Sequence, residues 1–285
     1  MSFSRSALPS VLLAVTGVLL LCVGLALGIT AISAHFFGEF AETHDSASAP
    51  EAPHIDLSGF NPGYIVSDEH FYDYKSMDLA AIESFIAEKN AGCQTISTVC
   101  LNAYREDTVD IPASPHCEGY RGAPGESAAE IISKTAQSCR VNPQVLLTLL
   151  QKEQSLLTAS GLELNPTRYD TATGYGCPDN HECNPEYFGL GKQIYFAAAQ
   201  FQRYRQNPTQ FIYQAGNTHN IPFSSNQACG SAAVKIENQA TAALYNYTPY
   251  QPDPALLEGN PGKCSSYGNA NFYGIYKAWF GDPTS

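Results

Sequence analysis

Apolar positions along this chain mostly recur at helical spacing. From Asn142 to Thr158 the run N-P-Q-V-L-L-T-L-L-Q-K-E-Q-S-L-L-T puts Leu146, Leu149, Leu150, Glu153 and Leu157 at i, i+3, i+4, i+7 and i+11, one helical face. Asn142 is a good N-cap and Pro143 suits the first helical position, so the start is marked too. Ser127-Ala-Ala-Glu130 reads as a capping box opening a helix over 128–139. Further helices are predicted after Asp78 (Leu79, Ile82, Phe85, Ile86), over about 191–206, over 238–247 and over 270–281. Residues 211–236 alternate weakly and suit a short hairpin. Residues 60–74 read as a turn and then a short strand or irregular aromatic segment. Residues 92–125 and 159–186 hold the Gly, Pro, Ser and Cys of loops. The predicted fold is mainly α, with one small β-hairpin.

The N-terminus follows a different pattern. Val11 to Ile32 carries 22 residues without a charge, about 33 Å as a helix and enough to span a bilayer. We read 1–40 as an uncleaved single-pass anchor with the rest of the chain outside, and a signal cleaved near Ala31-Ile32-Ser33 as the alternative. Residues 41–56 are small, polar and Pro-bearing and read as a flexible tether. A loop-rich subdomain over 57–125 and a helical domain over 126–285 complete the expected organisation.

Composition narrows the chemistry. The net charge of −12 argues against nucleic acid as a partner. Seven His show no pair at metal-ligand spacing, so neither a metal nor a cofactor is expected. Setting aside Cys22 in the apolar run, eight Cys remain, an even number that behind an export segment suggests disulfides. Nearest-neighbour pairing gives Cys93–Cys100, Cys117–Cys139, Cys177–Cys183 and Cys229–Cys264.

Glu153 is the residue this pattern singles out. A carboxyl on an apolar stripe can hold the proton that a general acid gives away. The plainer alternative puts it at the edge of the stripe, bonded to Lys152 or a nearby amide. Should a second carboxylate assist, Glu163, Asp170, Asp179, Glu182 and Glu186 follow in the loop, and Asp170 is best placed along the chain.

The stretch Glu130 to Ser155, with Val141-Asn142-Pro143 leading into an apolar helix that reaches Glu153, resembles the opening helices of the lytic transglycosylases of the lysozyme superfamily. Those enzymes have Glu-Ser where this chain has Glu153-Gln154-Ser155. The resemblance implies a lysozyme-like domain outside the membrane. It also implies cleavage of peptidoglycan glycan strands between N-acetylmuramic acid and N-acetylglucosamine, with Glu153 as the single catalytic carboxylate. The family's Gly-Leu-Met-Gln loop corresponds either to Gly174-Tyr175-Gly176-Cys177 or to Gly189-Leu190-Gly191-Lys192-Gln193. Its Ala-Tyr-Asn-Ala-Gly helix looks like Ala243-Leu244-Tyr245-Asn246-Tyr247, with Tyr213-Gln214-Ala215-Gly216 as a rival. The sugar-binding residues expected on this basis are Ser155, Tyr169, Tyr175, Gln193, Tyr245 and Asn246. Two other outcomes stay open: a muramidase in which Asp170 places a water, and a non-catalytic glycan-binding or adhesion protein. The second gains from residues 60–68, where Phe60, Pro62, Gly63, Ile65, Ser67 and Asp68 resemble the N-terminal part of secreted actinobacterial proteins, some labelled haemagglutinin-like.

Overall fold

The computed structural model describes residues 48–178 and 181–285. The anchor over 1–40, the first part of the tether and Asp179 lie outside the described residues. Among the described residues there are nine α-helices and two short two-stranded sheets. The helices are α1 (Asp68–Tyr72), α2 (Leu79–Lys89), α3 (Ala128–Cys139), α4 (Pro143–Gln154) and α5 (Pro166–Asp170). They continue with α6 (Leu190–Gln206), α7 (Gln239–Tyr247), α8 (Pro254–Leu257) and α9 (Gly268–Phe280). Strand β1 (Arg105–Glu106) pairs antiparallel with β2 (Glu126–Ser127), and β3 (Thr218–Pro222) with β4 (Ser231–Lys235), the hairpin expected from the alternation.

Helix α4 is the hub. Asn142 caps it by accepting the Gln144 N–H at 2.8 Å, and also accepts the Ser76 hydroxyl and donates to the His70 carbonyl, both at 2.6 Å. One side chain therefore starts the helix and fastens the N-terminal segment to it. Val145 to Gln151 are all buried, so the helix is covered all round rather than along one stripe. Helix α3 packs on one side and α9 on another, the latter fixed by the Tyr276 hydroxyl donating to Gln144 Oε1 at 2.7 Å. An apolar stripe drawn on the sequence sees one face, whereas a central helix needs apolar groups on every face. The helix also stops at Gln154, so Leu157 does not continue the face that carries Leu146 and Leu150.

The segment expected as strand or irregular chain near residue 70 contains helix α1. Ser67 caps it by accepting the His70 N–H, and Asp68 and Glu69 fill its first turn, where acidic groups favour a helix start. The same segment is stitched to α7. The Ile65 N–H donates to Thr241 Oγ1 at 2.9 Å, Asn238 Nδ2 to the Val66 carbonyl at 2.7 Å, and the Ala240 N–H to Asp68 Oδ1 at 2.7 Å. The end of the tether is fastened too: Lys277 of α9 pairs with Asp56 at 2.7 Å. All four nearest-neighbour disulfides are present. They tie down the loop-rich stretches that bury too little apolar surface to hold themselves.

Candidate active site

Glu153 sits in the last turn of α4, where the helix leaves the core. Ser155 ends the helix in the left-handed conformation (φ 52°), and its N–H reaches back to the Gln151 carbonyl at 2.9 Å. Arg168 donates to the Gln154 carbonyl, a cation placed at the negative end of the helix. These two devices fix where the Glu153 side chain emerges.

It emerges into a cleft of about 450 Å³. Lys152, Glu153 and Gln154 form the floor. One wall is Thr171, Thr173, Gly174 and the Cys177–Cys183 bridge; the other is Tyr247 to Tyr250 with Tyr267 and Asn271. Gly174 has φ +74°, and a side-chain carbon there would stand 3.5 Å from Glu153 Oε2. Glycine suits this place through its backbone angle, and a side-chain carbon would only touch the carboxylate. Gln154 holds the loop by donating to both the Thr171 carbonyl and its hydroxyl at 3.2 Å.

The carboxylate is paired. Lys152 Nζ contacts Glu153 Oε1 and also donates to Thr248 Oγ1 at 2.9 Å. The Lys152 side chain is only 4% exposed and that of Glu153 25%. Among the described residues Oε2 makes no hydrogen bond, so the plain pairing with Lys152 occupies one oxygen and leaves the other open. The Tyr247 hydroxyl donates to the Thr173 carbonyl at 2.8 Å. Burial first, and then the nearby Glu153 charge, hold that hydroxyl well above the usual phenol range. It remains a donor bridging the two walls.

The other expected residues are placed differently. Glu153 is the one carboxylate among the described residues that line the cleft; Glu163, Glu182 and Glu186 are exposed elsewhere. Asp170 ends α5 beside Tyr104, away from the lining. Tyr169 is buried, stacked on Tyr104 at 4.2 Å, with its hydroxyl given to the Val99 carbonyl at 2.8 Å. Tyr245 is fully buried and donates to the Pro62 carbonyl at 2.9 Å. Asn246 clamps the chain at Tyr213, accepting its N–H at 3.1 Å and donating to its carbonyl at 2.8 Å. Ser155 serves as the helix stop and is not part of the lining. Gln193 is buried but acts on the cleft indirectly. Its amide donates to the carbonyls of Tyr175 (2.9 Å) and Tyr187 (2.8 Å), and its oxygen accepts the N–H groups of Thr173 and Tyr175 at 3.2 Å. Tyr175, half-buried against Phe196 and Tyr187, is thereby held next to Gly174.

The contact between Lys152 and Glu153 is the one named as the plainer alternative, whereas the reading of the sequence gave Tyr247, Thr248 and Tyr267 no place in the cleft. Tyr247 lay within reach, since it ends the same pentad as Tyr245. At 3.6 residues per turn, positions two apart point about 200° apart, so with Tyr245 in the core Tyr247 faces elsewhere. Among the described residues no group of three or more His, Cys, Asp or Glu could hold a metal.

Comparison with curated proteins and with solved structures gave no match. The family model described as LasA, N-terminal domain, matches residues 64–285, which include every residue of the cleft. That is more than three quarters of the sequence, and the chain belongs to the LasA N-terminal domain family.

Proposed function

We propose that the protein cleaves the glycan strand of peptidoglycan between N-acetylmuramic acid and N-acetylglucosamine, with Glu153 as its one acid–base residue. The observation that carries this reading is the open Oε2 of Glu153, alone among described carboxylates in a cleft lined by hydroxyls, amides and tyrosine rings. With Lys152 paired to Glu153, such a lining offers an uncharged substrate hydrogen bonds and flat apolar faces, which is what a sugar presents. The LasA-like family is associated with peptidoglycan cleavage, which agrees in substrate class and names no type of enzyme.

In the lytic scheme, Glu153 carries a proton taken from solvent on Oε2, with Lys152 kept on Oε1, and gives it to the glycosidic oxygen as the bond to C1 of the muramic acid breaks. The electron pair leaves with that oxygen. The substrate's N-acetyl group steadies C1 until the 6-hydroxyl oxygen bonds to it. The Glu153 carboxylate takes the hydroxyl proton, closing a 1,6-anhydro ring and restoring the starting state without water. A muramidase would use water in place of the 6-hydroxyl. Asp170 lies away from the lining, which favours the single-carboxylate scheme.

The disulfides and the family point to an extracellular or secreted protein. Among the described residues no helix is long and apolar enough to cross a membrane. Attachment through residues 1–40 is part of the proposal. The test is incubation of the purified full chain with isolated peptidoglycan. The wild-type chain should clear the suspension and Glu153→Gln should not; equal clearing by both would remove Glu153 from the chemistry.

A further inference from the structure

We infer that Lys152 is the positioning residue of this cleft: it pins Oε1 of Glu153 and thereby assigns Oε2 as the oxygen that exchanges the proton. This rests on the acid–base reading of Glu153. Neighbouring residues on a helix do not face each other, so a pair between positions 152 and 153 needs an outside cause. Thr248 supplies it. Its hydroxyl accepts Lys152 Nζ at 2.9 Å, drawing the ammonium towards the cleft side where Glu153 emerges.

Thr248 is itself held. It caps the end of α7, and its Cγ2 packs on Gly268, where a side-chain carbon would stand 2.5 Å away. Asn269 donates to the Thr248 carbonyl at 2.9 Å, fixing the backbone as well. The chain of contacts α9–Thr248–Lys152–Glu153 therefore joins the cleft wall to the carboxylate. A lysine side chain only 4% exposed is an unusual thing to keep, since little water is left to solvate its charge. An ion pair formed only for surface stability would have left the lysine outside and needed no threonine. On the opposite side Gly174 lies next to Oε2, which accepts no hydrogen bond from the described residues. A carboxylate with one oxygen locked and one open meets its substrate in a single orientation, and misplacement of about 1 Å costs on the order of 10²-fold in rate.

The test compares full-length wild type, Lys152→Met, Lys152→Arg, Thr248→Val and Glu153→Gln on soluble glycan fragments. For Lys152→Met we expect kcat to fall roughly 10²-fold with KM unchanged. Affinity for a glycan oligomer, measured in the Glu153→Gln background, should stay within about twofold. Lys152→Arg, which keeps a cation, should recover part of kcat. If Lys152→Met fails to fold, Thr248→Val decides, because it removes the hydroxyl that draws the ammonium to Glu153 while leaving both charged side chains in the chain; it should lower kcat alone. Wild-type kcat in a folded Lys152→Met, or a rise in KM at constant kcat, overturns the positioning role while leaving Glu153 in place. Cleavage by Glu153→Gln, or none by the wild-type chain, overturns the underlying reading and this inference with it.

Discussion

Two lysine–glutamate pairs in this protein look alike as contacts and differ in what each leaves open. In the first, Glu126 is 6% exposed and its partner Lys134 36%. Both Glu126 oxygens are taken, Oε1 by Lys134 and Oε2 by the hydroxyls of Thr108 and Tyr120. Its burial alone would raise the carboxyl, but Lys134 and the two hydroxyls outweigh that and hold it below its usual range. In the second pair the exposures are reversed: Lys152 is inside, and Glu153 shows one free oxygen to a cleft. A saturated carboxylate behind a surface lysine is architecture, here joining β2 to the loop before it. An unsaturated carboxylate in front of a buried lysine is, on the proposed reading, a reagent held at a fixed angle.

The largest expected effect separates the two pairs by activity. Glu153→Gln should lower wall cleavage by at least about 10²–10⁴-fold, the usual worth of acid–base help. Glu126→Gln should cleave at close to the wild-type rate wherever it is folded. Assays of both variants on one peptidoglycan preparation check this, and equal losses would erase the distinction. Next comes stability, read from denaturant midpoints. Glu126→Gln gives up charge-assisted hydrogen bonds on both oxygens and should lose about 2–4 kcal/mol. Glu153→Gln leaves the Lys152 ammonium buried with a neutral acceptor and should lose a smaller amount, roughly 1–2 kcal/mol. Removing Lys152 as well, in Lys152→Met/Glu153→Gln, should recover much of that loss. Strict additivity in this cycle would mean that the two side chains are not coupled.

The smallest effect is on pH. Glu126 and the capping-box residue Glu130 both have folded-state values held below the carboxylate norm, Glu130 chiefly by the Ser127 backbone and hydroxyl. Below about 4.3, the unfolded value, the unfolded chain binds more protons than the native one. Stability is therefore full above that pH and declines as pH falls through the folded values. The melting temperature should be flat above about pH 5 and drop below it, with a shallower drop in Glu126→Gln. An unchanged acid limb in that variant would show that the stabilisation lies with other carboxyls.

Features encoded within a few residues were legible in the sequence. Asn142-Pro143 marks the start of α4 and Ser127 with Glu130 that of α3, because a cap is a local exchange of hydrogen bonds. The four bridges join cysteines that are neighbours in the order of the chain, two of them only 6 and 7 residues apart. The cleft was only partly legible, since its walls come from residues nearly a hundred positions apart and meet through tertiary packing. Tyr169, Tyr245 and Asn246 were expected at sugar, yet the structure commits their polar atoms to Val99, Pro62 and Tyr213. A tyrosine that stitches two segments and one that lines a cleft have the same one-letter pattern. The pairing of Lys152 with Glu153 was legible, but its burial was not, because a lysine beside a glutamate reads as a solvated surface pair and only Thr248, 96 positions on, turns it inward.

In the proposed reaction one carboxylate, held by Lys152 and open at Oε2, cuts the glycan strand. Mass spectrometry of the fragments released from purified peptidoglycan by the full chain tests it most directly. We expect glycan fragments ending in anhydro-muramic acid, lighter than the hydrolysed form by one water, and none from Glu153→Gln. Ends carrying that water would assign the cut to hydrolysis. The absence of glycan fragments from the wild-type chain, or their appearance with Glu153→Gln, would contradict the claim.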